Sequence, residues 1–146
     1  MRADVGAEPD LELYARRFSL ARKLALIAEI LRTYVRVRWS VRRHELPATL
    51  TRLREGVVPP AGASRRYTSW RLASATVRVL DRLPSDSTCL TRSLVLTRVL
   101  AARGIGSSLV IGVAPAPNFA AHAWVELDGL PLLPAEEWTY SRLVEL

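Results

Sequence analysis

Two side chains in the second half of the chain have the types and placement that thiol-dependent catalysis needs. Cys89, the only cysteine of the 146 residues, lies at the predicted start of a helix, with Ser87 or Thr88 as its N-cap. The N–H groups and the dipole at a helix N-terminus stabilise a thiolate, and the same N–H groups can stabilise an oxyanion. His122 lies in a predicted apolar strand, and histidine is the usual base for a thiol nucleophile. The alternatives are that Cys89 is a small buried hydrophobic residue and that His122 is hydrogen-bonded within its sheet.

A third group normally orients the imidazole of a thiol–imidazole pair, and it is usually a carboxylate or an amide. Residues 128–129 (DG) predict a two-residue hairpin turn, so the strand that follows would place residue 135 opposite His122. Glu136 comes just past that position and is our candidate for the orienting group. Glu126 shares a strand face with His122, but it lies about 13 Å away along the strand.

A long helix is predicted near the start of the chain. Apolar residues recur in steps of three and four from Asp10 to about Trp39, which is typical of a helix with one buried face. Residues 34–41 alternate between apolar side chains and arginine, which also fits a short strand. No turn signal separates them from the preceding helix, so we interpret them as its end. The predicted inner face consists of Leu11, Tyr14, Phe18, Ala21, Leu24, Ala28, Leu31 and Val35.

A loop and a second long helix come before the cysteine. Residues 48–54, after Pro47, predict a short helix, and residues 56–64 (GVVPPAGAS) predict a loop. Residues 68–83 predict the second long helix, which Pro84 ends. Its predicted inner face consists of Trp70, Ala73, Val77, Leu80 and Leu83.

From the cysteine onward, one helix is followed by a sheet. Residues 89–103 are spaced for a helix, and Gly104 supplies the left-handed conformation that ends it. The apolar pattern then changes to a period of two and predicts strands at 108–113, 121–127 and 130–133. Helices followed by an antiparallel sheet are the order of an α+β fold. The predicted inner face of the helix consists of Leu90, Leu94, Thr97 and Leu100.

Composition narrows the class of protein. Hydrophobic residues make up 49% and charged residues 24%, which is ordinary for a globular domain and argues against a disordered tail protein. The single cysteine excludes an internal disulfide and a zinc site of several cysteines, and two histidines argue against a histidine-rich metal site.

We predict one domain over residues 1–146, with a helical half (1–83) and a half with the cysteine helix and the sheet (84–146). No apolar run approaches the ~20 residues of a membrane span, and the polar N-terminus is not a secretory signal, so we expect a cytoplasmic protein.

Basic residues concentrate in the first half. Residues 1–83 carry 17 basic and 8 acidic side chains, whereas residues 84–146 carry 4 and 6. All the basic residues except Lys23 are arginine, a bias that suggests a GC-rich bacterial genome. The arginines could bind an acidic peptide or dock a partner protein, or they could form a solvated helix face. Arginine also suits phosphate, but nucleic acid is not among the partners we expect. We interpret Trp39 and Trp70, which lie among these arginines, as packing residues.

Five short blocks of the second half carry a family resemblance. They are residues 89–94 (CLTRSL), 103–105 (RGI), 111–113 (IGV), 121–126 (AHAWVE) and 128–129 (DG). In order and spacing they resemble the leader peptidases of lasso-peptide biosynthesis, a bacterial branch of the transglutaminase-like, papain-like cysteine-protease fold. The resemblance implies that Cys89 and His122 are the catalytic pair. The family's acidic third residue, about twelve positions after the histidine, corresponds to Pro134 here. The identity of the third catalytic residue therefore stays open: either Glu136, two positions further on, takes this role, or the orienting contact is weak or is supplied in another way.

The resemblance also implies a reaction and partners. The reaction is hydrolysis of one peptide bond between the leader and the core of a ribosomally made precursor, without metal or nucleotide. The chain has no room for a winged-helix-like recognition module, so the resemblance implies the free-standing form. That form acts with a separate leader-recognition protein and feeds a lasso cyclase. Two other functions stay open: acyl transfer to an amine by the same pair, and a non-catalytic basic binding module, which the basic first half and the missing acid at Pro134 favour.

Overall fold

The computed structural model describes residues 20–43, 48, 64–83, 88–114, 120–132 and 140–146. The helices among these residues are α1 (Leu20–Arg43), α2 (Ser64–Leu80) and α3 (Cys89–Ala101). The strands are β1 (Ser108–Ala114), β2 (Ala120–Leu127), β3 (Leu130–Pro131) and β4 (Ser141–Glu145). Helices precede an antiparallel sheet, which confirms the predicted α+β class. Apart from Ala48, the predicted short helix at 48–54 lies outside the described residues, as does the predicted loop up to residue 63.

The first helix continues through the segment that also resembled a strand. Residues 34–41 are helical, and α1 ends only at Arg43, so the interpretation as helix is confirmed. Arg42 and Arg43 lie in its last turn, where cations stabilise the negative end of the helix dipole. The predicted start near Asp10 lies outside the described residues.

The buried face of α1 is not the one that periodicity predicted. Its buried residues are Ile30, Thr33, Tyr34 and Val37. Leu24 and Val35, which belong to the predicted face, are 57% and 65% exposed, so that prediction is wrong. Because α1 carries apolar residues on more than one side, periodicity alone does not tell which side packs. An ion pair between Glu29 and Arg103, with two hydrogen bonds of 2.9 and 2.8 Å, holds the buried side of α1 near the end of α3.

The second helix packs through small side chains. α2 begins earlier than predicted, at Ser64, and ends at Leu80, after which a short turn reaches Leu83. Its buried residues are Ser69, Leu72, Ala73, Thr76 and Leu80. Most of these side chains are small, which lets α2 pack closely against α3.

The interpretation of two tryptophans as packing residues is wrong. Trp70 is 53% exposed, and Trp39 is exposed as well. Trp70 lies next to Ser69, which takes the buried position in its place. The guanidinium of Arg43 lies 3.9 Å from the centre of the Trp39 ring, so this indole forms a cation–π contact at the surface.

The third helix is the centre of the core. It contacts α1, α2, β1 and β2, and its buried residues include the predicted Leu94, Thr97 and Leu100, whereas Leu90 is half-buried. The helix ends at Ala101, slightly before the predicted end. As predicted, Gly104 is left-handed, with φ of 71°. Its N–H bonds to the Ala101 carbonyl at 2.9 Å and the Ile105 N–H bonds to the Leu100 carbonyl at 3.1 Å, which is the Schellman pattern.

The described strands form one antiparallel sheet in the order β3-β2-β1-β4. The predicted hairpin turn is confirmed: Asp128 and Gly129 have φ of 53° and 76°, and Leu127 pairs with Leu130. β3 is shorter than predicted. β4 was not predicted at all, because its five residues are all exposed and show no alternation of buried and exposed positions.

The hydrophobic core lies between the helices and one face of the sheet. On β2, Ala123, Val125 and Leu127 belong to this core. His122 and Trp124 alternate with them, and alternate residues of a strand point to opposite faces. No helix within the described residues is long and apolar enough to cross a membrane.

Candidate active site

The cysteine stands at the first residue of α3, as predicted. Thr88 is the N-cap: its backbone is extended, and its Oγ1 accepts a hydrogen bond of 3.3 Å from the Thr91 N–H. The alternative cap, Ser87, lies outside the described residues. Cys89 itself is half-buried and borders the core. A thiolate at this position would interact favourably with the helix dipole and the N–H groups of the first turn.

A buried hydrogen bond joins α3 to the strand of the histidine. Ser93, one turn after Cys89, donates from its Oγ to the carbonyl oxygen of Ala123 at 3.0 Å. Ala123 directly follows His122, so this bond holds the beginning of α3 beside the histidine segment of β2. Cys89 lies one helical turn before Ser93, and His122 directly precedes Ala123, so the two backbone segments are neighbours. The Cys89 side chain borders the core, whereas His122 alternates along β2 with the core-facing residues.

The imidazole of His122 packs against two aromatic rings. The Tyr140 ring centre lies 5.2 Å from that of His122, with 26° between the ring planes. The Trp124 ring centre lies 6.1 Å from it, with 17° between the planes. Trp124 and Tyr140 also contact each other, at 6.2 Å. The half-buried imidazole thus has its ring plane set by neighbours on its own strand and beside β4.

A buried carboxylate fixes the tryptophan of this cluster. Glu126 is 3% exposed, and its Oε1 accepts a hydrogen bond of 2.8 Å from Trp124 Nε1. Both of its carboxylate oxygens also accept from Nη2 of Arg142, each at 2.8 Å. A buried carboxylate needs such donors because its desolvation is costly. A chain of contacts therefore runs from Arg142 through Glu126 and Trp124 to His122.

A glycine on the neighbouring strand makes room for the indole. Gly112 pairs with His122 across the sheet. A Cβ at Gly112 would lie 2.8 Å from Cη2 and 2.9 Å from Cζ3 of Trp124, closer than carbon atoms pack. The absence of a side chain at this position lets the Trp124 ring lie directly over the backbone of β1.

The structure describes two of the three predicted site residues. Cys89 and His122 lie on the predicted elements; the cysteine borders the core, and the imidazole contacts Trp124 and Tyr140. Among the described residues, no hydrogen bond joins the Cys89 thiol to the His122 imidazole, so their pairing in catalysis stays a prediction. Glu136 and Pro134 lie outside the described residues, so the role of Glu136 also stays a prediction. In the described part of the chain, His, Cys, Asp and Glu residues do not gather in groups of three that could hold a metal.

Tyr140, Arg142 and the contacts of Glu126 were not predicted from the sequence. Glu126 is too far along the strand to contact His122 directly, but Trp124 lies between them on the same strand face and contacts both. The alternation of His122, Trp124 and Glu126 was a signal for this relation. Tyr140 and Arg142 left no comparable signal, because the exposed strand β4 was not predicted.

Comparison with known proteins gives the family. A model of the transglutaminase-like superfamily matches residues 29–144, from within α1 to within β4. No curated protein and no solved structure matches the chain. Members of the superfamily are usually cysteine-dependent enzymes, and they include cysteine peptidases and acyltransferases. Because the match covers most of the chain and spans both Cys89 and His122, the chain belongs to the transglutaminase-like superfamily.

Proposed function

We propose that this protein is a papain-like cysteine endopeptidase that removes the leader peptide from a ribosomally made lasso-peptide precursor. The observation that carries the proposal is the hydrogen bond from Ser93 to Ala123, which holds the start of α3 beside the β2 segment of His122. The substrate class comes from the resemblance of the blocks at 89–94 and 121–126 to the lasso leader peptidases.

In the proposed reaction, His122 takes the proton of the Cys89 thiol, and the sulfur attacks the carbonyl carbon of the scissile peptide bond. N–H groups at the start of α3 stabilise the oxyanion that forms. The C–N bond then breaks, and the imidazolium gives its proton to the leaving amine of the core peptide. Water, deprotonated by His122, hydrolyses the thioester, which releases the leader as a carboxylic acid and restores the thiol.

Glu136 is the acid that we propose near the imidazole. It comes two positions after Pro134, which corresponds to the family's acidic residue, and proline has no side-chain acceptor. A Glu136→Gln variant keeps the size of the side chain and an acceptor oxygen but removes the charge. If Glu136 orients the imidazolium, this variant should cleave the precursor about tenfold more slowly or worse, with little change in KM. Cleavage at the wild-type rate would remove Glu136 from the site.

The partners we propose are the precursor leader, a separate leader-recognition protein and a lasso cyclase. We propose that the recognition protein docks on the exposed apolar side of α1. This side consists of Leu20, Leu24, Ile27, Val35 and Trp39. Exposed arginines of the same helix border it, namely Arg32, Arg36 and Arg43. An acidic surface with an apolar centre is the partner chemistry that would complement this side.

Cleavage of the precursor tests the proposal. The protein is incubated with the precursor and the recognition protein, and mass spectrometry follows the leader and the core. Wild type should release both, whereas Cys89→Ala and His122→Ala should lower the rate about a thousandfold or more. The matched control is His44→Ala, because His44 is the chain's other histidine and should be dispensable. Cleavage by Cys89→Ala at the wild-type rate would overturn the assignment.

Acyl transfer to an amine is a second candidate, because the superfamily includes acyltransferases. The thioester at Cys89 would form in the same way, but an amine would replace water in the second step. The masses of the products separate the two reactions: hydrolysis leaves a free carboxylic acid, whereas transfer leaves an amide-linked adduct.

A basic binding module without catalysis is distinguished by the reactivity of the thiol. Cys89 is the only cysteine of the chain, so iodoacetamide labels one site. For an enzyme we expect Cys89 to be labelled faster at neutral pH than a free thiol, because thiolate is the reactive form. Equal rates would favour the binding module.

A further inference from the structure

The described neighbours of the His122 ring are aromatic. The three ring-centre separations among His122, Tyr140 and Trp124 are 5.2, 6.1 and 6.2 Å. All three separations lie within the range of about 4.5–7 Å that is typical of interacting aromatic rings, so each ring contacts the other two. Both neighbours lie nearly parallel to the imidazole, at 26° and 17°. Such contacts restrict the plane of the imidazole without using its ring nitrogens, which are the atoms that transfer protons.

Each aromatic neighbour is itself held in place. The Trp124 indole donates a hydrogen bond to the buried carboxylate of Glu126, and Gly112 on β1 lies directly beneath its six-membered ring. Tyr140 directly precedes β4, whose residue Arg142 pairs with Gly112 across the sheet. Arg142 also holds Glu126 through two contacts of 2.8 Å. Trp124 is thus held by Gly112 of β1 and by the Glu126–Arg142 pair, and Tyr140 is placed by its position directly before β4.

We propose that Tyr140 and Trp124 are positioning residues that orient the imidazole of His122, with the Glu126–Arg142 pair keeping Trp124 in place. The inference rests on the proposed catalytic pair. The third member of a catalytic triad holds the imidazole in its productive orientation, and proline at position 134 cannot do this as a carboxylate does. Ring stacking restricts the same motion. The faces of the two rings also attract the imidazolium that forms during the reaction.

The test compares substitutions that keep or remove the Tyr140 ring. Tyr140→Phe retains stacking, and Tyr140→Leu removes the ring but keeps an apolar side chain. Labelling of Cys89 by iodoacetamide at neutral pH gives the reactivity of the pair without any substrate, and precursor cleavage gives kcat and KM. Tyr140→Leu should slow labelling and lower kcat about fivefold or more, with KM nearly unchanged, whereas Tyr140→Phe should stay within about twofold of wild type.

A second variant covers the case in which Tyr140→Leu does not fold. Arg142 has a side chain that is half exposed, so Arg142→Met should fold, yet it removes the donor that holds Glu126. We expect Arg142→Met to slow labelling about threefold, because Trp124 loses the support of a fixed carboxylate. Thermal unfolding confirms that each variant is folded.

The outcomes separate the inference from the proposed function. His122→Ala labelling as fast as wild type would refute the catalytic pair itself. If His122→Ala is slow while Tyr140→Leu and Arg142→Met label and cleave like wild type, the pair stands and the positioning role is overturned. Equal losses in Tyr140→Phe and Tyr140→Leu would also overturn it, because the ring itself would then not matter.

Discussion

Replacing Gly112 by alanine would insert a methyl group beneath the indole of Trp124. The added Cβ would lie 2.8 and 2.9 Å from two carbons of that ring and 3.0 Å from the carbonyl oxygen of Ser141 on β4. Carbon atoms pack best at about 3.5–4.0 Å, so the ring must retreat by about 0.7 Å or β1 and β4 must separate.

Neither movement is free of cost. Trp124 Nε1 donates to Glu126 at 2.8 Å, and a retreat of about 0.7 Å could stretch this bond to about 3.5 Å, where it is lost. Overpacking of this kind destabilises proteins by about 1–3 kcal/mol. We therefore expect Gly112→Ala to lower the free energy of unfolding by about 2 kcal/mol, which lowers Tm by roughly 6 °C at this chain length.

Denaturant unfolding followed by circular dichroism measures the change, and a double-mutant cycle identifies its cause. Phenylalanine at position 124 lacks the two indole carbons that would meet the new methyl group. In a Trp124→Phe background, Gly112→Ala should therefore cost about 1 kcal/mol less than in wild type. A cost below about 0.5 kcal/mol in wild type, or the same cost in both backgrounds, would refute the tight packing of the indole over β1.

Three further substitutions test contacts on which the site depends. Ser93→Ala removes the donor to the Ala123 carbonyl and should lower the free energy of unfolding by about 1–2 kcal/mol in denaturant unfolding; no change would contradict the link between α3 and β2. Arg142→Met should lower the free energy of unfolding by about 2 kcal/mol, because the buried Glu126 carboxylate loses its guanidinium donor; the same cost of Arg142→Met in a Glu126→Gln background would argue against the pair. Leu24→Glu, at an exposed position, should leave stability within about 0.5 kcal/mol but weaken calorimetric binding of the recognition protein about tenfold; unchanged affinity would exclude this side of α1.

The features that sequence predicted correctly depend on neighbours in the chain. The turn at Asp128 and Gly129 needs only two residues that accept positive φ, and the end of α3 needs only a glycine at position 104. The cap of α3 by Thr88 is a contact within one helical turn. Local rules of this kind hold whatever the rest of the chain does.

The features that sequence predicted wrongly depend on which surfaces meet. α1 has apolar residues on two sides, and the side with Leu24 and Val35 is exposed although its spacing is regular. Trp70 is large and apolar, yet the smaller Ser69 beside it takes the buried position against the core. Packing selects faces by fit between elements, and hydrophobicity along one helix does not contain that information.

The helix that begins at Cys89, the strand that carries His122 and the order of helices before sheet could all be predicted from the residues alone, because they follow from periodicity and capping within short segments. The surroundings of His122, in contrast, depend on how the elements pack together. Tyr140 and Arg142 lie near His122 because β4 pairs with β1, which is far away in sequence. Glu126 is connected to His122 through the indole of Trp124, which lies between them. Contacts between distant segments depend on strand pairing and on the shape of the packed core, which no local pattern of residues encodes.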